Sequence, residues 1–128
     1  MLWAPTNPGE ALAAQQMQAP ALALGLMLGA LTVREFEEFA GAFTVMTRER
    51  ADALLVVEGQ LAQTRRRHIV GLAATHQMPA IYGFRGDVDA GGLMAYAGHR
   101  GDLFHCASIY VDKVLKGAQP AHLPVEQY

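Results

Sequence analysis

The sequence is short of charge, of cysteine and of long apolar runs, and each shortage excludes something. Charged residues make up 17% of the 128, with 10 Lys+Arg against 12 Asp+Glu and a formal net charge of −2. A nucleic-acid module normally presents a clearly basic surface, so no nucleic-acid partner is expected. The single cysteine, Cys106, excludes an internal disulfide framework and a Cys-based structural zinc site. No segment reaches the roughly 18–20 apolar residues that span a bilayer. The closest, Ala19–Leu31, is interrupted by Pro20, Gly25 and Gly29. It is a poor signal-peptide core too, because Glu10 precedes it and the first basic residue is Arg34. A chain without an export signal is expected to stay in the cytoplasm.

What is present is apolar: hydrophobic residues make up 52%. That is ample for a core and slightly high for one small domain, whose surface is large relative to its volume. Short apolar runs alternate with helical periodicity. Ala21–Leu28, Ala51–Val57, Pro79–Gly83 and Leu93–Ala97 read as strands, and continuous apolar runs of this kind suit parallel strands covered on both faces. Between them, helices are predicted over about Gly9–Gln18, from Thr32 with Glu35 completing a capping box, over Gln60–His76 and over Asp102–Lys116. Val33, Phe36, Phe39, Ala40, Phe43 and Met46 form the inward stripe of the second, and Leu103, Ala107, Tyr110, Val111 and Val114 that of the last. Residues 118–128 read as an extended tail, and the whole chain as a single lobe. The pattern is α/β: an open, mostly parallel sheet with helices on both faces. Leu2-Trp3 reads as the stub of a first strand that is largely missing.

The candidate chemistry is thin. There is no Walker-type phosphate loop and no GxGxxG after a strand. His68 and His76 lie too far apart on one helix to share an ion, and adjacent His105 and Cys106 point in different directions, so no metal site is expected. Neither is a catalytic nucleophile, because Cys106 has no base beside it. Gly91-Gly92 either serves backbone geometry or lets a ligand approach. Of Arg65-Arg66-Arg67, the last two are expected in solvent. Arg65 either snorkels at the core's edge or reaches toward the sheet or a neighbouring lobe. In an open α/β sheet, ligands bind at the carboxyl ends of the strands. Those ends bring together Thr6, Asn7, Glu58, Gln60, Phe84, Arg85, Asp87 and Asp89, a polar set with one aromatic platform. It suits gripping a small polar solute more than bond-making, and no cofactor is implied.

Several stretches carry a resemblance. They are LWAPTNPG at Leu2–Gly9, RERADALLVV at Arg48–Val57, RRRHIVGLAATHQMPAIYGFR at Arg65–Arg85, DAGGLMAYAG at Asp89–Gly98 and YVDKVLKGAQPAHLPVEQ at Tyr110–Gln127. In this order and spacing the chain resembles the C-terminal lobe of ABC-transporter substrate-binding proteins, the family with tryptophan- and tyrosine-binding members. The resemblance implies one lobe of a type I periplasmic-binding-protein fold. Such proteins are periplasmic or lipid-anchored, close two lobes on a solute without catalysis, and deliver it to a membrane permease. It places the solute in the cleft at strand carboxyl ends, in agreement with a site for a polar or amino-acid-like molecule at Thr6, Asn7, Glu58, Gln60, Phe84, Arg85 and Asp89. At those strand ends this sequence departs from the family's usual pattern, with Thr6-Asn7-Pro8 followed by Glu10, Glu58-Gly59-Gln60, and Gly86-Asp87 after Arg85.

The resemblance also implies a truncated protein, lacking a first lobe and most of a central strand. Unpaired backbone and bare apolar faces are then expected to be covered in a homodimer. An ABC permease would be a partner only of a complete two-lobe form. Two other readings are a stand-alone α/β sensor or interaction module that has lost transport, and a small enzyme with Glu58 or Asp89 as general base.

Overall fold

The sheet is built around a two-residue strand. In the computed structural model, which describes residues 1–5, 7–98 and 100–124, strand β1 is only Leu2–Trp3. It pairs in parallel with β2 (Leu31–Thr32), Leu2 lying opposite Leu31. Leu31 N donates to Met1 O and Val33 N to Trp3 O, both at 2.9 Å. On the other side, Leu2 bridges Val56 and Val57 N donates to Leu2 O at 2.9 Å. Strand β3 (Leu54–Leu55) pairs in parallel with β4 (Ala80–Tyr82), which pairs in parallel with β5 (Met94–Ala95). The spatial order is β2-β1-β3-β4-β5, an open parallel sheet whose order reverses between β1 and β3.

Side-chain alternation along β1 and β3 separates two cores. Leu2, Leu54 and Val56 face the larger one, with Phe39, Phe43 and Met46 of α3 (Glu38–Arg48) and Ile69, Val70 and Ala73 of α5 (Arg66–Thr75). Met1, Trp3 and Val57 face a smaller one with Ala13 and Ala14 of α1 (Pro8–Gln16). Helices therefore cover both faces, and the sheet has the expected α/β architecture.

The chain divides into two compact units, Met1–Ala97 and the remainder from Gly98. The second is α7 (Arg100–Leu115) and a 3₁₀ turn at Pro120–His122. Tyr110 donates its hydroxyl to Pro124 O at 2.6 Å, so the segment after α7 returns alongside it. The expectation of an extended tail is corrected at that turn, and Val125–Tyr128 lie outside the described residues. The predicted inward stripe is also corrected. Leu103, Val111 and Val114 are exposed; among the described residues of its own unit, α7 is accompanied only by the short turn at Pro120–His122.

Three further expectations fail for local reasons. Ala21–Leu28 is not a strand: α2 (Gln18–Ala23) runs into it, and Gly25 at φ +69° ends the helix. The strand falls at Leu31–Thr32, where Met1–Trp3 supplies backbone partners, and Leu22, Leu24, Leu26 and Met27 stay exposed. Thr32, in that strand, does not cap a helix. Helix α3 starts six residues later, and Glu38 rather than Glu35 closes back on the chain, accepting from Arg34 N at 2.7 Å. Phe36 consequently sits before the helix and Ala40 is exposed, while Ala42 joins the core. Finally, Gln60–His76 is two helices, α4 (Gln60–Thr64) and α5, parted at Arg65 (φ −106°, ψ 16°).

Candidate functional site

The strand order directs attention to one place, the crevice beyond the carboxyl ends of β1 and β3, where an open α/β sheet reverses. Asn7 ends the turn after β1 and caps α1, its Oδ1 accepting from Gly9 N at 2.9 Å. Its Nδ2 donates to Glu10 Oε1 at 3.2 Å. Glu10 is only 4% exposed, and its Oε2 accepts from Ala4 N at 2.7 Å. This carboxylate crosses the crevice and lies against Gly59, the buried residue between β3 and α4. A methyl group on Gly59 would overlap it. Gly59 is extended (φ −170°), so the constraint is room rather than backbone conformation. What remains beside Trp3, Ala4 and Glu10 is about 10 Å³, roughly the space of one water.

The other sequence-predicted residues are spread over three strand ends. Thr6 lies outside the described residues. Glu58 and Gln60, both exposed, flank Gly59. Across the sheet, Gly83 follows β4, and a methyl there would stand 2.8 Å from Glu58 Cβ. Phe84, which opens α6 (Arg85–Asp89), is buried at 8% exposure. It is therefore less a platform than a wall. Arg85 and Asp89 are exposed and paired with each other across one turn at 3.9 Å. The fold thus gathers Asn7, Glu58 and Gln60 at the reversal and sets Arg85 and Asp89 one strand away.

Sequence reasoning missed Glu10 and Gly59 as neighbours and mistook the arginines. Arg66, expected in solvent, is the half-buried one, its Nε donating to Asp87 Oδ1 at 3.1 Å. The break at Arg65 resets the helical phase, which continuous periodicity could not show. Arg65 itself is exposed, with its guanidinium carbon 4.8 Å from the Phe36 ring centre. His68 covers Phe36 at 4.4 Å between ring centres, and His76 lies 5.5 Å from Phe43 with Nδ1 3.0 Å from Thr47 Oγ1. Burial raises the Asp87 carboxyl above its ordinary range, against the pull of Arg66. Burial first, then the Asp87 charge, pushes Tyr82 up to about 12. Gly91 adopts φ +104°, and a methyl on Gly92 would meet Asp87 O and Tyr82 Cε2 at 2.8 Å, so this pair serves the backbone before β5.

An open basin of about 500 Å³ lies between the start of α5 and α6. Arg65, Arg66, Arg67, Phe36, Gly86 and Asp89 line it. No helix among the described residues is long and apolar enough to cross a membrane.

The fold is a doubly wound, parallel α/β lobe with polar turns at the carboxyl ends of its strands. Comparison with known proteins makes this specific. The profile described as "ABC transporter substrate binding protein" matches residues 1–128, and the chain belongs to that family. No curated protein matches. The chain is similar in structure to an ABC domain from Streptococcus pneumoniae solved in complex with L-Trp, with a TM-score of 0.80 and 26% identity. The match covers 98% of this chain and 42% of that one. A conserved domain protein from Vibrio cholerae O1 biovar El Tor shares the fold, with a TM-score of 0.76, 20% identity, and coverage of 97% and 42%. The chain therefore spans less than half the length of either neighbour.

Proposed function

We propose that this chain is a solute-binding lobe of the kind ABC importers use, non-catalytic, taking a small polar or amino-acid-like molecule. It would do so at the carboxyl ends of β1, β3 and β4 through Thr6, Asn7, Glu58, Gln60, Phe84, Arg85 and Asp89. The observation that carries this reading is the family match over the whole chain, together with likeness to a domain holding L-Trp. The non-catalytic part of the reading is supported by the match to a substrate-binding family. A complete two-lobe form would work outside the cytoplasmic membrane and hand its solute to a permease.

One lobe supplies half of a closed site and leaves the solute in contact with water. Calorimetric titration with tryptophan, tyrosine and phenylalanine should give saturable binding no tighter than about 10 μM, or about −7 kcal/mol. Absence of any saturable binding by these or other small solutes would overturn the reading. A sub-micromolar constant would overturn the half-site argument.

A second reading, a protein-interaction module that self-associates, is favoured by the exposed Leu22, Leu24, Leu26 and Met27. It predicts a homodimer in sedimentation at micromolar concentration, and a monomer there would count against it.

A further inference from the structure

We infer that the basin between α5 and α6 is an oxyanion site, built to take a small polyanion bearing carboxylate or phosphate groups. The inference goes beyond solute binding at the strand ends: the basin shares Asp89 with the residues proposed there, while its arginines lie outside that set. Three consecutive arginines on a regular helix would point over more than half a turn. Here Arg65 lies in the break between α4 and α5, and Arg65, Arg66 and Arg67 all line the one basin.

Arg66 is the central element. Its Nε is committed to Asp87, whose side chain is 9% exposed, while its guanidinium lies over Gly86. A methyl on Gly86 would stand 2.8 Å from Nη1 and 3.2 Å from Nη2. The fork is held at one end, and its two Nη groups have no acceptor among the described residues. That is the geometry in which arginine recognises carboxylate or phosphate with two parallel bonds. Arg65 stacks on Phe36, whose other neighbour is His68 at 4.4 Å, and neither Arg65 nor Arg67 has a carboxylate partner among the described residues. The only lining carboxylate among them, Asp89, is paired with Arg85 at 3.9 Å. Asp87 offsets the charge of Arg66, and the basin keeps the charges of Arg65 and Arg67 without a carboxylate partner among the described residues, in a chain whose formal net charge is −2. An anion there relieves repulsion among the arginines and meets a fork already in place.

The test is calorimetry and thermal unfolding of the full chain with inorganic pyrophosphate and with citrate, against sodium chloride at matched ionic strength. Saturable binding with a constant below about 1 mM is expected, and the tighter of the two ligands identifies phosphate or carboxylate as the natural group. Arg65→Gln with Arg67→Gln, both exposed positions, should weaken binding about tenfold or more. Gly86→Ala should weaken it by displacing the fork, with circular dichroism confirming that each variant is folded. Stabilisation no greater than that by chloride, or equal binding by the folded variants, would overturn the inference.

Discussion

The carboxylate of Glu10 occupies the space that a side chain on Gly59 would need. Glu10 reaches across from α1, is 4% exposed, and is anchored by Ala4 N and Asn7 Nδ2. The turns after β1 and β3 are thereby tied together from inside. Gly59→Ala must push the carboxylate off these donors, leaving a buried acceptor and donor unpaired. A loss of about 1–3 kcal/mol is expected in urea unfolding. Pairing Gly59→Ala with Glu10→Ala, which clears the space, should recover part of it.

Phe43 is fully buried at 0% exposure in the larger core, between the sheet and α5. Truncation to Ala should cost about 3–5 kcal/mol, because the surrounding helix and strands cannot collapse into the void. Chemical denaturation measures it. A cost below about 1 kcal/mol would show that this core is not packed as described.

Tyr82, pushed up to about 12 by burial and then by Asp87, gives the native state an alkaline limit. Its proton is held more tightly folded than unfolded. Its contribution is therefore whole below about pH 10 and is lost as pH rises toward the folded value. Absorbance at the phenolate band should show one of the four tyrosines titrating late, and Tyr82→Phe should abolish that phase.

Asp87 acts in the same direction at lower pH. Because burial raises its carboxyl above the ordinary value of 3.8, the folded state binds its proton more tightly than the unfolded chain. The stability of the protein relative to Asp87→Asn should fall as pH climbs from about 4 and level off above the raised value. A relative stability that rises over that window would contradict the assignment.

Met27 is 100% exposed and Leu22 79%. Leu22→Ser with Met27→Gln should leave monomer stability within about 0.5 kcal/mol. If the exposed run is the face on which copies associate, the same pair of changes should shift sedimentation toward monomer.

The approximate positions of the later strands, at Leu54–Leu55, Ala80–Tyr82 and Met94–Ala95, and the polar turns behind them were legible in the sequence. Apolar runs bounded by Gly, Pro and charge are local signals. The strand at Leu31–Thr32 was not, because the more apolar Ala21–Leu28 competes with it. Only the backbone partners offered by Met1–Trp3 decide between them. Arg66 was misread for a similar reason: whether a helix breaks at Arg65 depends on its neighbours, and the break moves every later side chain.

By itself the sequence determined the α/β class, the parallel strands, the family resemblance and the list of polar residues at the strand ends. These follow from hydrophobic period, turn chemistry and residue order, which are carried along the chain. Tertiary structure alone decided that Glu10 closes on Gly59, that Asp87 holds Arg66, and that three adjacent arginines line one basin. The first two join segments far apart in sequence and the third turns on a helix break, so their existence depends on strand order, helix phase and the space left between side chains.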